Sequence, residues 1–214
     1  MKKAAIFVAG LVVLAGAGPV RGQGAAAQQP APTMASVMNG HLKIVEQEVV
    51  SAAEAMPEEK YGFAPSNEFK GGEFKGVRTF SQEVSHIGFG LHLFFGPFAG
   101  ETIDVKSLEE NTNGPANLKT KAEIVQYLKD SFALAHKVIG ELTPENAVTP
   151  VAKPVLPFLN TRLGIATLSC WHSMDHYGQM VEYLRMNGIV PPASRPRPQQ
   201  EPQQKAPPAQ KPQR

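Results

Sequence analysis

The chain has 214 residues, 42% of them hydrophobic and 19% charged, with a formal net charge of +2. Lys2, Lys3 and Arg21 at one end carry +3, and Arg195, Arg197, Lys205, Lys211 and Arg214 against Glu201 at the other carry +4, which leaves −5 for the part between. That distribution excludes a basic nucleic-acid-binding domain, and the single cysteine, Cys170, excludes an internal disulfide framework.

Residues 1–24 read as a signal peptide. Lys2 and Lys3 form a positive n-region, Ala4 to Gly16 an apolar h-region, and small residues Ala25 to Ala27 follow. The apolar run is too short for a comfortable membrane span. The expectation is an exported protein, periplasmic or extracellular, with no stable membrane insertion after cleavage. A linker is expected over 25–33, one domain over 34–192, and a tail over 193–214. That tail is dominated by Pro, Gln, Lys and Arg, a composition that cannot bury a core.

Within the domain, apolar residues recur at helical spacing. Leu42, Val45, Val49, Ala52, Ala53 and Met56 predict a first helix from about Ala35 to Met56, stopped by Pro57. A loop rich in Gly, Pro and Asn extends to about Gly76. Thr79-Phe80-Ser81-Gln82 fits a capping box and opens a second helix, which Pro97 ends near Phe95. Gly88 and Gly90 inside it predict close packing against a neighbour. Thr120-Lys121-Ala122-Glu123 is a second capping box, and Ile124, Tyr127, Leu128, Phe132, Ala135, Val138 and Ile139 carry a third helix to Gly140. A crossing with Pro144, Pro150, Pro154 and Pro157 follows. The fourth helix runs from about Asn160 or Thr161 to Asn187, with Gly188 placed as its C′ residue. Four helices without a period-2 run predict an all-α, four-helix bundle.

The fourth helix holds the stretch with most chemistry, Cys170-Trp171-His172-Ser173-Met174-Asp175-His176-Tyr177-Gly178-Gln179-Met180. His172 and His176 lie about 40° apart on one face, one turn above the other, and two imidazoles so placed reach one metal ion. The zincin signature has Glu beside the first histidine; Ser173 stands there, so this is not a zincin. Cys170 falls about 200° round the helix from His172 and reads as a small buried hydrophobe. Trp171 and Tyr177 read as core or pocket wall, and Gly178 as a point of close helix approach.

Completing the site needs a third ligand. His41 is on the first helix, His136 on the third, and His86 and His92 on the second. His86 and His92 are about 240° apart in phase, so only one faces the axis. His86 falls in the inward stripe and His92 among Leu91, Leu93 and Phe94, which favours His86.

The sequence resembles the DinB/YfiT-like family. The likeness rests on Pro57-Glu58-Glu59-Lys60-Tyr61-Gly62-Phe63, on Val77-Arg78-Thr79-Phe80-Ser81-Gln82-Glu83-Val84-Ser85-His86-Ile87, on His172 to Met180, and on Tyr183 to Pro192. It covers most of residues 33–192. The resemblance implies a four-helix bundle of the DinB/YfiT-like type. It also implies a divalent metal, zinc or nickel, on His86, His172 and His176, leaving His41, His92 and His136 dispensable. Some relatives are thiol-dependent transferases or isomerases. Gln179 and Glu83 are the expected hydrogen-bond partners of the rings.

Two function classes remain. One is a metal-dependent hydrolase or thiol transferase acting on a small molecule of unspecified identity. The other is a non-catalytic binding or structural protein whose ion stabilises the bundle. Besides the small molecule, the partner considered is a second copy of the chain.

Overall fold

The computed structural model describes residues 31–66, 71–102, 112–152, 154, 157–158 and 160–196. The predicted signal peptide and residues 25–30 of the linker fall outside these residues, as does the tail beyond 196. Four long helices carry the fold: α1 (Met34–Ala55), α2 (Phe80–Phe95), α3 (Lys121–Gly140) and α4 (Arg162–Met186). Among the described residues there is no strand, only one isolated bridge between Pro150 and Thr161.

Each helix begins where its cap dictates. The Thr33, Thr79 and Thr120 hydroxyls accept from the backbone of Ser36, Gln82 and Glu123, whose side chains return the bond in a reciprocal box. At the far end of α4, Gly188 adopts φ +74°, and the Ile189 and Gly188 amides bond to Leu184 and Arg185. This is the Schellman pattern expected of Gly188, and Ile189 packs on the core beneath it. A single turn of helix, Pro144–Ala147, interrupts the proline-rich crossing. Thr143 caps it, with Pro144 in the first turn and Asn146 closing another capping box.

The helix ends also fix the topology. The Phe80 and Ser81 amides, orphans of the first turn of α2, bond to the Phe63 and Tyr61 carbonyls at 2.8 Å each. Lys121 at the start of α3 places its ammonium on the Glu54 and Met56 carbonyls at 2.9 and 2.8 Å, covering the C-terminal end of α1. Lys60 reaches the Asn187 carbonyl at 3.3 Å. The end of α1, the starts of α2 and α3 and the end of α4 therefore share one end of the bundle. So α2 and α3 run parallel, against α1 and α4. In the packing, α1 and α2 each lie against both α3 and α4, while α3 and α4 face each other diagonally.

Leu42, Val49, Phe80, Ile87, Leu91, Leu128, Phe132, Met180 and Leu184 fill the interior with at most 1% of their surface exposed. Each such side chain contributes about 1.5–3 kcal/mol by burial. A consequence of the parallel pair is that the connection from α2 to α3 must return along the bundle, about 24 Å for a helix of this length. On that return, Thr112 to Gly114 pass beside the first turns of α2. Gly114 has φ +85°, and a Cβ there would stand 2.7 Å from the Ser85 Cβ.

Candidate metal centre

Where α2 crosses α4, three histidines meet. His86 projects from α2, His172 and His176 from α4. Their ring centroids are 5.1 Å (His86 to His172), 4.4 Å (His86 to His176) and 4.7 Å (His172 to His176) apart. One nitrogen of each ring lies within 4.8 Å of the other two. Three points that close share a centre less than about 3 Å from each, against zinc–nitrogen bonds of about 2.0–2.1 Å. Closing onto an ion needs ring adjustments of under about 1 Å.

The bonds behind the rings set their tautomers. His176 Nδ1 donates to Glu83 Oε2 at 2.7 Å, with side-chain exposures of 8% and 1%. His86 Nδ1 donates to the Thr112 carbonyl. With the proton held on Nδ1, each ring presents the lone pair of Nε2. Burial pushes the pKa of His86 below its ordinary value, against the pull of the Thr112 carbonyl. Burial, then the neighbouring His176 and His86, pushes His172 down to about 4. Both rings are therefore neutral at pH 7, the form that binds metal.

The packing leaves room for the third ring. A Cβ on Gly90 would lie 2.8 Å from His172 Cε1, so glycine there admits the imidazole. Gly88 does the same for the Tyr127 ring, at 2.7 Å. Close packing at both glycines follows the expectation from their sequence positions. The edge of Phe94 meets His172 at a centroid distance of 5.6 Å, which adds an apolar wall.

Among the described residues, no other histidine joins the group. His41 is exposed. His92 stacks on Tyr127 with centroids 5.2 Å apart and pairs with Glu101 at 3.4 Å. His136 bridges Asn39 and Glu46. Gln179 lies 3.5 Å from His176 Nδ1, a looser contact than that of Glu83. Glu83 sits one turn before His86 in sequence yet holds His176, across the seam. Cys170 is half-buried against the core, and burial pushes its thiol pKa up. Tyr177 is buried.

Two readings of α4 require correction. Trp171 is 58% exposed rather than core or pocket wall, and a Cβ on Gly178 would meet nothing within 4 Å. The cause is the diagonal placement of α3 and α4, which leaves one face of α4 uncovered. Two contributors had no expected role. Thr112 acts through its carbonyl, which no side-chain pattern signals. Arg78 bonds to Asn113 at 2.8 Å, beside Thr112.

Residues 41–180, which contain all three histidines, match the family model described as the DinB superfamily. The chain belongs to the DinB superfamily. No curated protein matches it significantly. The donor set of this DinB-superfamily bundle fits a divalent ion. It offers three imidazole nitrogens with two distal N–H groups already satisfied, and imidazole suits borderline metals such as zinc and nickel.

Proposed function

We propose that this protein is an exported DinB-superfamily enzyme, a metal-dependent hydrolase or thiol transferase acting on a small molecule. Zinc or nickel would be held by Nε2 of His86, His172 and His176. The observation that carries the reading is the number of donors. Among the described residues the cluster has three ligating groups and no fourth His, Cys, Asp or Glu. Structural zinc sites are closed by four protein ligands, whereas catalytic ones keep a position for water or substrate.

A divalent ion here supplies Lewis acidity and lowers the pKa of a water ligand towards about 7. The chain's own residues prepare that chemistry. The Glu83 carboxylate and the Thr112 carbonyl keep the protons of His176 and His86 on Nδ1 and fix the ring planes. Gly90 admits His172, and Phe94 limits water on that side. The charged stretch Lys2–Lys3 and the apolar run behind it support export.

In the second reading the ion only ties α2 to α4, the two helices that supply every ligand. Chelation separates the two. Elemental analysis should give about one divalent ion per chain. Its removal should abolish activity and lower the melting temperature while the helical circular-dichroism signal persists. A folded core of this size does not depend on an ion as a zinc finger does. Unfolding at room temperature on chelation would make the ion a staple and remove the support for an enzyme.

A further inference from the structure

Away from the histidine seam, the outer surface of the α1–α4 layer is apolar and unused by the fold. Asn39 and Glu46 of α1 bond to His136 of α3. At about 100° per residue, Val37 and Ile44 lie about 140–180° round α1 from them, turned away from α3. On α4, His172 and His176 mark the side that meets α2, and Met174 lies about 160° from both. Because α1 and α4 pack side by side, these turned-away positions share one outer surface. Val37, Ile44 and Met174 are exposed on it, as is Trp171 on the crest of α4. Contiguous apolar surface of this kind marks an interaction site.

Along that crest, Trp171, Gly178 and Arg185 follow at steps of seven residues. The phase drifts by only about 20° per step, so the three form one line on the outside of the helix. The line is balanced about its centre. Two α4 helices laid antiparallel on a two-fold axis at Gly178 set Trp171 of each copy against Arg185 of the other, each about 10 Å from the axis. A guanidinium over an indole face is a favourable pairing, and the symmetry makes it twice. Arg185 Nη2 bonds to Ser194 Oγ at 3.1 Å, an in-plane contact that leaves the flat face of the guanidinium for a ring. A Cβ on Gly178 would meet nothing within 4 Å. Glycine on the axis brings the helices to the short end of the usual spacing of about 8–10 Å, and alanine, one methyl larger, would lengthen it little. The area is also sufficient. The 25 residues of α4 run about 37 Å, and two adjacent helices are about 20 Å wide, a footprint of about 700 Å² on each copy. A standard interface takes about 800 Å² per partner.

We propose that the outer surface of the α1–α4 layer pairs two copies of this chain, in a symmetric dimer centred on Gly178 with reciprocal Trp171–Arg185 contacts. This pairing does not depend on an ion at the histidines, which face the other side of α4.

Trp171 is the only tryptophan of the chain, so its emission reports on this surface alone. Sedimentation equilibrium and fluorescence are to be followed on the full chain over a dilution series of about three decades around 10 μM. The mass should rise from one chain to two, and Trp171 emission should move to shorter wavelength over the same concentrations. Gly178→Arg puts a long side chain and a pair of like charges on the axis. It should remain a monomer with long-wavelength emission throughout. Its helical circular-dichroism signal should persist, because arginine is a better helix former than glycine and the position has room. Arg185→Ala keeps the reporter and should raise the dimer dissociation constant about tenfold, for two lost contacts. If Gly178→Arg fails to fold, Arg185→Ala decides alone. A monomeric mass at every concentration would overturn the proposal, and short-wavelength emission from that monomer would assign the surface to another segment of the same chain. A dimer that survives Gly178→Arg would place the contact elsewhere and overturn it equally. Equal dissociation in wild type and Arg185→Ala would overturn the reciprocal pairing.

Discussion

Among the described residues, histidine hydrogen-bonds to a side chain of another long helix in two places, and they are wired in opposite ways. Between α1 and α3, His136 places Nδ1 2.7 Å from Asn39 Oδ1 and Nε2 3.2 Å from Glu46 Oε2. Both ring nitrogens face side-chain oxygens of α1, and neither is turned towards another histidine. Between α2 and α4, His86 and His176 each spend one nitrogen, on Thr112 and Glu83, and turn the other towards His172. The first arrangement is a polar clamp. The second is a set of unused lone pairs held together by the fold. Histidine between helices is therefore no indicator of a metal site. What separates the two is whether acceptors stand behind one nitrogen or both.

The largest effect should come from the ligands themselves. His172→Ala or His176→Ala should reduce zinc or nickel affinity by more than about 100-fold, beyond the 10–100-fold typical of supporting residues. His136→Ala should leave the metal content of the purified protein unchanged by elemental analysis, although it breaks the clamp. Equal loss in both variants would erase the distinction between the two places. The next effect belongs to Glu83. Glu83→Gln keeps an oxygen acceptor for His176 but not its charge, and metal affinity should drop about tenfold. Glu83→Ala should also lower stability by about 1–3 kcal/mol, because a buried N–H loses its acceptor. Competition titration with a chromogenic chelator measures the first, and denaturant melts of the metal-free protein the second.

Much of this was legible in the sequence, for local reasons. The capping boxes at Thr79 and Thr120 and the glycine at 188 set helix ends through contacts within a few residues. The pair His172 and His176 is likewise local, one turn on one face. Phase favoured His86 over His92, and the family resemblance implied it. Across the seam the signal fades. Glu83 neighbours His86 in the chain, but its partner is His176, 93 residues away. The Thr112 contribution is a backbone carbonyl, and any residue type supplies one. Trp171 and Gly178 were misread because sequence period says which face of α4 is apolar, not which neighbours are missing. Thr143-Pro144-Glu145-Asn146 did carry a cap signal, obscured by the prolines around it.

Glycines give a finer comparison within the same two helices. Gly90→Ala puts a methyl 2.8 Å from His172 Cε1, so the ring must move and metal affinity should fall several-fold. Gly178→Ala meets open space on the uncovered face of α4. It should leave metal affinity unchanged and raise the melting temperature, since alanine gains about 0.5–1 kcal/mol over glycine in a helix interior. Opposite signs in the two variants, in titration and in thermal melts, would show that the seam tolerates no extra atom while the outer face does.

The smallest effect expected is the dependence of the chelated protein on pH. Burial holds His172 down at about 4 and His86 below its ordinary value. Unfolded, both titrate near 6.5. Below about 6.5 the unfolded chain takes up protons that the folded chain refuses, so the unfolded state gains and stability falls as pH drops towards 4. Above that range both states are neutral and these groups contribute no slope. His176, His86 and Arg78 keep the charged form of His172 unfavourable, with Asp175 opposing them. Partial solvent access to His172 weakens the effect, so a lowering of the melting temperature by a few degrees between pH 7.5 and 5 is expected. Replacing His172 with Asn removes the more displaced of the two groups and should flatten that slope. A slope identical in the chelated wild type and His172→Asn would assign the pH dependence to groups outside the seam.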